Sequence, residues 1–348
     1  MTSHQIVQSD EVQIIEIHSK SLPFTTHDSR WVPTSRRFVV VGSKPRSKGA
    51  LQVYKMNFDS KKPEDRMEMI YDIETEHGIK CANFGSCDSV IRECAIGDFS
   101  GFLQVYDLEK SQKPIFSNRV HDEIINCMDG AGAPGPREIV TGSRDGKICL
   151  SDIRCKESVV ASLKPSGDQR DCWTVSIGGT TSQQDRSVIA GFDNGDVKLW
   201  DIRSNSVTWE TNLKNGVVAL QVLNKVGQLS RLVAGCLSGQ IISFDLTDAT
   251  SDKGYQSYTQ KVKDNSTIWT VQHCPQRNNI LATTGGNGEL IIWEKKDEKK
   301  LNLELLSSKQ LSSQPISSFD WHPDCEGLAV TTSFDQTVKV LYISNLNK

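Results

Sequence analysis

The sequence predicts an all-β fold, with seven small antiparallel sheets set as blades in one closed ring. Three observations carry this. One pattern recurs seven times, and its turn falls at Gly49, Gly101, Gly146, Gly195, Gly239 and Gly288, with Gln336 in the last copy. The separations are 52, 45, 49, 44, 49 and 48 residues, the spacing of a four-stranded blade plus loop insertions. Within each copy apolar and polar residues alternate, as Leu103 and Val105 do after Gly101, and Val197, Leu199 and Ile202 after Gly195. That is the period of a strand, and helical repeats of similar length would show 3.6.

Taken in order, the copies read VGSKPRSKGALQVYK (41–55), AIGDFSGFLQVYDL (95–108), VTGSRDGKICLSDIR (140–154), IAGFDNGDVKLWDIR (189–203), VAGCLSGQIISFDL (233–246), TTGGNGELIIWE (283–294) and TTSFDQTVKVLYI (331–343). A small-residue pair precedes a polar turn, and an apolar run and an aromatic follow it. A tight turn between strands needs positive φ, which glycine adopts at little cost. The preceding Asp145, Asn194, Ser238, Asn287 and Asp335 can hydrogen-bond the local backbone. The aromatic five residues after the turn (Tyr54, Tyr106, Trp200, Phe244, Trp293) is placed to pack between blades, with Ser151 and Leu341 in its stead in copies three and seven.

A second pattern precedes the copies: IKCANFG from 79, CWTVSIG from 172, VVALQVL from 217, IWTVQHCP from 268 and ISSFDWHP from 316. It reads as the inner strand of each blade. The blades are expected at about 24–70, 71–120, 121–165, 166–212, 213–262, 263–310 and 311–344, in one domain over 1–348. The last copy reaches the chain end with no room for a fourth strand. The apolar stretch VQIIEIH at 12–18 is therefore predicted to pair beside 338–343 and close the ring, which removes an exposed sheet edge. The segments 43–48, 57–69 and 295–300 are read as solvated surface loops.

Composition limits the function classes. The chain has 348 residues, 37% hydrophobic and 24% charged, enough for a large core without staples. No apolar run approaches a membrane span, and the start has no basic region followed by an apolar run. Forty basic against 43 acidic residues give a net charge of −3, which argues against a phosphate-backbone binder. The ten cysteines show no C-x-x-C spacing and read as small buried hydrophobes in a reducing compartment. GAGAPG at 130–135 matches a dinucleotide fingerprint in letters only, because a strand-like EIVTG follows where a helix is required. Asn265-Ser266-Thr267 is a glycosylation acceptor by pattern alone. No nucleophile elbow, Walker loop, zincin motif or EF-hand loop is present, and the seven histidines do not cluster. No catalytic, cofactor or metal residue is expected.

These features resemble the WD-repeat family of β-propellers, whose dipeptide stands intact as Trp200-Asp201. The resemblance implies that His121 and Asp145 form a structural pair. It also implies that the second residue of each inner strand lies at the mouth of the ring, which singles out Trp173 and Trp269, with Arg170 and Asp171 just before the first. Arg144 and Phe334, each just before a turn acid, face the same mouth, and Phe99 and Asp193 lie one turn position away as weaker candidates. Arg and aromatic residues are the usual anchors of interfaces. The alternative for the two tryptophans is packing between blades.

Longer phrases narrow the family. EIVTGSRDG (138–146), RDCWTV (170–175), WETNLKNGV (209–217), QPISSFDWHPD (314–324) and SFDQTVKVLYISNLNK (333–348) resemble the monad-type WD-repeat proteins, in that order. That group is also described as axonemal dynein assembly factors, and as the WD-repeat subunit of a co-chaperone complex of RuvB-like ATPases and prefoldin-like proteins. The resemblance implies a non-enzymatic cytoplasmic adaptor, a monomer within a larger complex. It would link that complex to dynein chains during preassembly, with a secondary tie to apoptosis and with neither nucleic acid nor membrane as partner. Two other readings stay open: a substrate receptor of a ubiquitin ligase or another WD-repeat scaffold, and an RNA-associated propeller.

Overall fold

In the computed structural model, seven four-stranded antiparallel sheets form the ring. The structure describes residues 11–86, 92–110, 112–132, 135–155, 158–164, 169–181, 185–227, 229–250, 254–262, 264–297 and 300–346. Cys87, Pro134, Glu298 and Lys299 lie outside these, as do the first ten residues. Strand β1 (Gln13–Ser21) belongs to the last blade. Blade 1 holds β2 (Thr25–Trp31), β3 (Arg37–Ser43), β4 (Gly49–Met56) and β5 (Met67–Thr75). Blade 2 holds β6 (Ile79–Asn83), β7 (Glu93–Asp98), β8 (Phe102–Asp107) and β9 (Phe116–Arg119). Blade 3 holds β10 (Ile125–Gly130), β11 (Glu138–Ser143), β12 (Ile148–Asp152) and β13 (Val159–Leu163). Blade 4 holds β14 (Cys172–Gly178), β15 (Ser187–Phe192), β16 (Asp196–Asp201) and β17 (Ser206–Asn212). Blade 5 holds β18 (Val217–Val222), β19 (Arg231–Cys236), β20 (Gln240–Thr250) and β21 (Gly254–Lys261). Blade 6 holds β22 (Ile268–Cys274), β23 (Arg277–Gly285), β24 (Glu289–Glu294) and β25 (Glu304–Gln310). Blade 7 holds β26 (Ile316–Trp321), β27 (Leu328–Ser333), β28 (Thr337–Ser344) and β1.

The inner strands β2, β6, β10, β14, β18, β22 and β26 pack in that order, and β26 packs back on β2. Each blade is covered on both faces by its neighbours, so the second strands β7, β11, β15 and β27 are buried throughout. Their sequences are accordingly mostly small or apolar, with the acidic Glu93, Asp98 and Glu138 at strand ends, and the alternation read from the sequence belongs to the third strands. The core divides into seven clusters, each between two successive blades; one joins Val140, Leu150 and Ile148 of blade 3 to Val175, Ile177 and Trp200 of blade 4. Fully burying one such side chain contributes about 1.5–3 kcal/mol. The small residue before each turn has a packing reason as well. A Cβ on Gly142 would lie 2.5 Å from Cys172 Sγ, and one on Gly191 would lie 2.6 Å from Val217.

Inner strands of adjacent blades share no ladder, so their backbone groups need other partners. Side chains supply them around the ring. Asp28 Oδ2 accepts from the Ala82 amide at 3.0 Å, the Cys81 thiol donates to the Ile125 carbonyl at 3.5 Å, and Asp129 Oδ2 accepts from the Ile177 amide at 3.0 Å. Thr174 Oγ1 accepts from Leu220 at 2.9 Å, and Gln221 accepts from the His273 amide. Trp321 Nε1 donates to the Gln272 carbonyl at 3.1 Å, and Asp320 Oδ2 accepts from Trp31 at 2.8 Å.

Strand β1 runs antiparallel to β28, from Gln13 opposite Ser344 to Ser21 opposite Thr337, and completes blade 7 as the sequence predicts. Ile14 enters the core between blades 6 and 7 beside Leu341 and Ile343, while Lys339 Nζ lies 2.8 Å from Glu16 Oε2.

The turns hold one correction. Gly101, Gly146, Gly195, Gly239 and Gly288 have φ of +73° to +92°, and Gln336 takes +64° in their place. Gly49 does not follow them. It lies in β4, and the wider turn of blade 1 places its positive φ at Arg46 and Ser47. What requires glycine at 49 is close approach, since a Cβ there would meet Thr75 Oγ1 and the His77 carbonyl oxygen.

Candidate functional site

A channel of about 810 Å³ runs along the ring axis. One backbone irregularity shapes its mouth. Every inner strand carries a register slip near its start, and the extra residue leaves the ladder. Such bulges re-aim a side chain. The residues concerned are Lys80, Asn126, Trp173, Val218, Trp269 and Ser317, with His27 one rung further along β2, and all seven line the channel.

A second ring lies above the first. The residue two before each turn glycine, or before Gln336, donates its amide to the carbonyl just ahead of the inner strand: Phe99 to Gly78, Arg144 to Ile124, Asp193 to Asp171, Leu237 to Gly216, Gly286 to Thr267 and Phe334 to Pro315, all at 2.8–3.0 Å. Phe99 and Asp193 therefore share the position of Arg144 and Phe334 and are not one turn position away. The shift arises because the turn acid of blade 2 is Asp98, before Phe99, whose Oδ1 accepts from the amides of Ser100 and Phe102.

Aromatic contacts tie the two rings together. Phe99 lies 5.4 Å from His27, His27 lies 6.3 Å from Phe334, and Phe334 lies 5.9 Å from Trp269, between ring centroids. This arc spans blades 2, 1, 7 and 6. It resumes at Leu237 and Trp173, which approach each other around Gly216. Trp173 and Trp269 are half-buried, so packing and an open face are both present. Phe99 and Leu237 remain 37% and 38% exposed, which leaves apolar surface open at the mouth. Arg144 is exposed, with Nε 3.7 Å from Asp171 Oδ2. Burial raises the pKa of Asp171 and Arg144 opposes the rise. Arg170 is exposed beside it.

Deeper in the channel the charges are paired. Arg30 lies 3.2 Å from Asp28 and 3.5 Å from Asp320, and burial holds the Asp320 carboxyl up at about 6 against the pull of Arg30. Lys225 Nζ bonds Asp129 and the Gly130 carbonyl.

His121 and Asp145 meet away from the mouth. His121 Nδ1 lies 3.2 Å from both Asp145 oxygens, and Nε2 lies 2.8 Å from Thr141 Oγ1. Asp145 also accepts from the amides of Asp122 and Lys147. The group is buried and remote from the channel lining, an arrangement that pins a turn to its blade. Ser151 stands where blade 6 has Trp293, whose Nε1 donates to Thr283 at 2.8 Å. Trp200 instead donates to Asn205 at 3.1 Å, and Asp201 accepts from the amides of Arg203 and Ser204.

His27, Lys80 and Leu237 belong to the mouth but were not singled out from the sequence. Each stands at a repeat position already identified in another blade; choosing by residue type rather than position passed them over. Among the described residues no group of three metal-ligating side chains gathers, and no helix is long and apolar enough to cross a membrane. Of the nine described cysteines, Cys155 and Cys325 are exposed, against the expectation of burial.

The family described as WD domain, G-beta repeat, matches residues 112–152 and 305–340. Curated relatives align over nearly the whole chain. Dynein axonemal assembly factor 10 of Xenopus laevis is 41% identical, covering 97% of this chain and 98% of its own. The Homo sapiens protein of that name is 40% identical (97% and 99%), and the Chlamydomonas reinhardtii one 36% (97% and 98%).

Proposed function

The chain belongs to the dynein axonemal assembly factor 10 family of WD-repeat propellers, and from that premise we propose that it is a non-enzymatic adaptor in the cytoplasmic assembly of axonemal dyneins. In this reading one surface engages a co-chaperone complex of RuvB-like ATPases and prefoldin-like subunits, and another engages dynein chains. Two modest contacts on one rigid body raise effective concentration without tight affinity at either. The ring suits this because its shape is set by seven interlocked cores.

The observation that carries the proposal is the mouth: apolar and aromatic side chains from six blades converge there, Phe99 and Leu237 exposed and the others half-buried, with Arg144 on the rim. Rigid aromatics and Arg are the residue types that concentrate binding energy. The test is affinity purification of the tagged chain from ciliated-cell lysate at two salt concentrations, read by mass spectrometry. The wild type is expected to recover dynein chains with RuvB-like and prefoldin-like subunits. Arg144→Glu or Trp173→Ala should lose one group of partners while melting normally. Recovery of ubiquitin-ligase components in their place would overturn the function. Unchanged capture by both variants would overturn the mouth as its site.

A further inference from the structure

Three cations line the channel wall, and they are not alike. Arg30 is held by Asp28 and Asp320, and Lys225 by Asp129. Lys80, the bulge residue of blade 2, lines the same channel, yet among the described residues no hydrogen bond or ion pair reaches its Nζ. The nearby carboxylate of Asp28 is already engaged, by the amides of Ser29 and Ala82 and by the Arg30 guanidinium. Burial lowers the pKa of Lys80, with Asp28 only partly offsetting it. On the adjoining bulge, His27 Nδ1 is buried without a partner, while Nε2 faces Ser43 Oγ at 3.1 Å. Burial, then Lys80, pushes the His27 imidazole down to about 4, so it is neutral at pH 7.

A cation without an ion-pair partner among the described residues and an unsatisfied ring nitrogen thus stand on adjoining bulges of the mouth. Lys80 is half-buried on the channel wall, and a ligand that pairs it while satisfying the buried His27 nitrogen gains at both groups. A cationic ligand would be repelled by Lys80. A purely apolar plug would strip water from the ammonium and give nothing back. A nucleic-acid strand would meet Asp171 and Asp193 on blade 4, across the ring. A carboxylate satisfies Lys80 and can also accept from the neutral imidazole. Lys80 has Cys81, Asp28 and Cys127 as its electrostatic neighbours and itself acts on the His27 ring, so the cation sits among inner-strand residues of blades 1 to 3 on the channel wall. That placement suits an acidic side chain dipping inward from a segment that crosses the mouth.

We propose that the mouth takes an extended segment of a partner protein by one acidic side chain, its carboxylate on Lys80 and its apolar neighbours on Trp173, Leu237, Trp269 and Phe334. This rests on the reading of the mouth as the partner-binding surface and adds the chemistry of what enters it.

The probe is a displayed random-peptide library selected against the wild-type chain and against Lys80→Met, which keeps the aliphatic stem. The wild type should enrich peptides with Glu or Asp beside Leu, Ile or Phe, and Lys80→Met should not. For a selected peptide made with both ends capped, Glu→Gln should weaken binding to the wild type about tenfold. The same change should matter less than about twofold to Lys80→Met, and Lys80→Arg should restore the preference. Lys80→Met should melt close to the wild type, since it keeps the aliphatic stem and breaks no hydrogen bond or ion pair among the described residues. Should Lys80→Met fail to fold, Lys80→Gln replaces it in the same comparison. Selection of no peptide, selection without an acidic residue, or an equal Glu→Gln loss on both proteins would overturn the proposal. If Lys80→Met leaves lysate partners bound while Trp173→Ala releases them, the acidic anchor fails and the mouth stands. If neither variant changes capture, the mouth itself fails.

Discussion

Blades 3 and 7 perform the same structural task by different means. Blade 3 comes from one stretch of chain, and a buried polar group, His121, Asp145 and Thr141, fastens its turn. Blade 7 is assembled from both ends of the chain. In its turn Ser312 replaces the histidine, donating to Asp335 Oδ2 at 2.8 Å, and Gln336 replaces the glycine. What holds blade 7 is the β1–β28 ladder and the burial of Ile14, Leu341 and Ile343. The contrast separates two kinds of stability. A polar pin acts within one blade. The closing strand joins residues more than 300 positions apart in sequence, and every interblade core depends on the ring it completes.

The largest effect should follow from breaking closure. Removing residues 1–21 uncovers the length of β28 and the core around Leu341. Ile14 alone contributes about 2 kcal/mol of burial, and the lost ladder adds to it. The melting temperature should fall by more than about 10 °C, with aggregation through the bared edge. A melt within about 2 °C of wild type would make the closing strand an ornament and erase the contrast between the blades.

Unpinning blade 3 should cost less. Asp145→Ala leaves His121 and the amides of Asp122 and Lys147 without their acceptor, at about 3 kcal/mol. Acid should reveal the same pin. Burial would raise the Asp145 carboxyl, but the hydrogen bonds from His121 and the two amides prevail and hold it at about 2, against an ordinary 3.8. A depressed carboxyl stabilises the fold above its unfolded pKa and loses that contribution as pH falls through the folded one. The wild type should therefore lose stability between about pH 4 and pH 2, and Asp145→Ala should lose less over that window. Parallel acid titrations of the two proteins would sink the assignment.

Much of this architecture was legible in the sequence, for a stated reason. Glycine turns and period-two strands are local, so Gly146 or Val197 declares itself within a few residues. Closure was legible too, because an apolar strand at 12–18 had no partner nearby. The interblade links were not. Asp129, Gln221 and Asp320 occupy one register position with different chemistry, and each reaches a backbone amide in the next blade about 50 residues away or across the chain ends. Gly49 misled because a glycine kept for close approach and one kept for positive φ look alike in letters. Lys80 was passed over because only its surroundings, an engaged Asp28 and an apolar rim, distinguish it from any other surface lysine.

The smallest effect tests the finest difference between the blades. Gln336 holds φ +64° where five other blades have glycine. An L-residue in that region is strained by roughly 1–2 kcal/mol. Replacing it with glycine removes the strain but gives the unfolded chain more freedom, which returns part of the gain. The backbone bond from the Gln336 amide to the Ser333 carbonyl, at 3.0 Å, survives the change, as does the bond that the Thr337 amide donates to Asp335 Oδ1. Gln336→Gly should therefore stabilise the protein by up to about 1 kcal/mol in chemical denaturation. The same substitution should help less when β1 is deleted, because blade 7 is then already loosened and the strained turn can relax without it. A loss of stability in the intact chain would mean that the glutamine side chain does more for blade 7 than its backbone costs. The two blades would then differ in how their turns are fastened and not in how well.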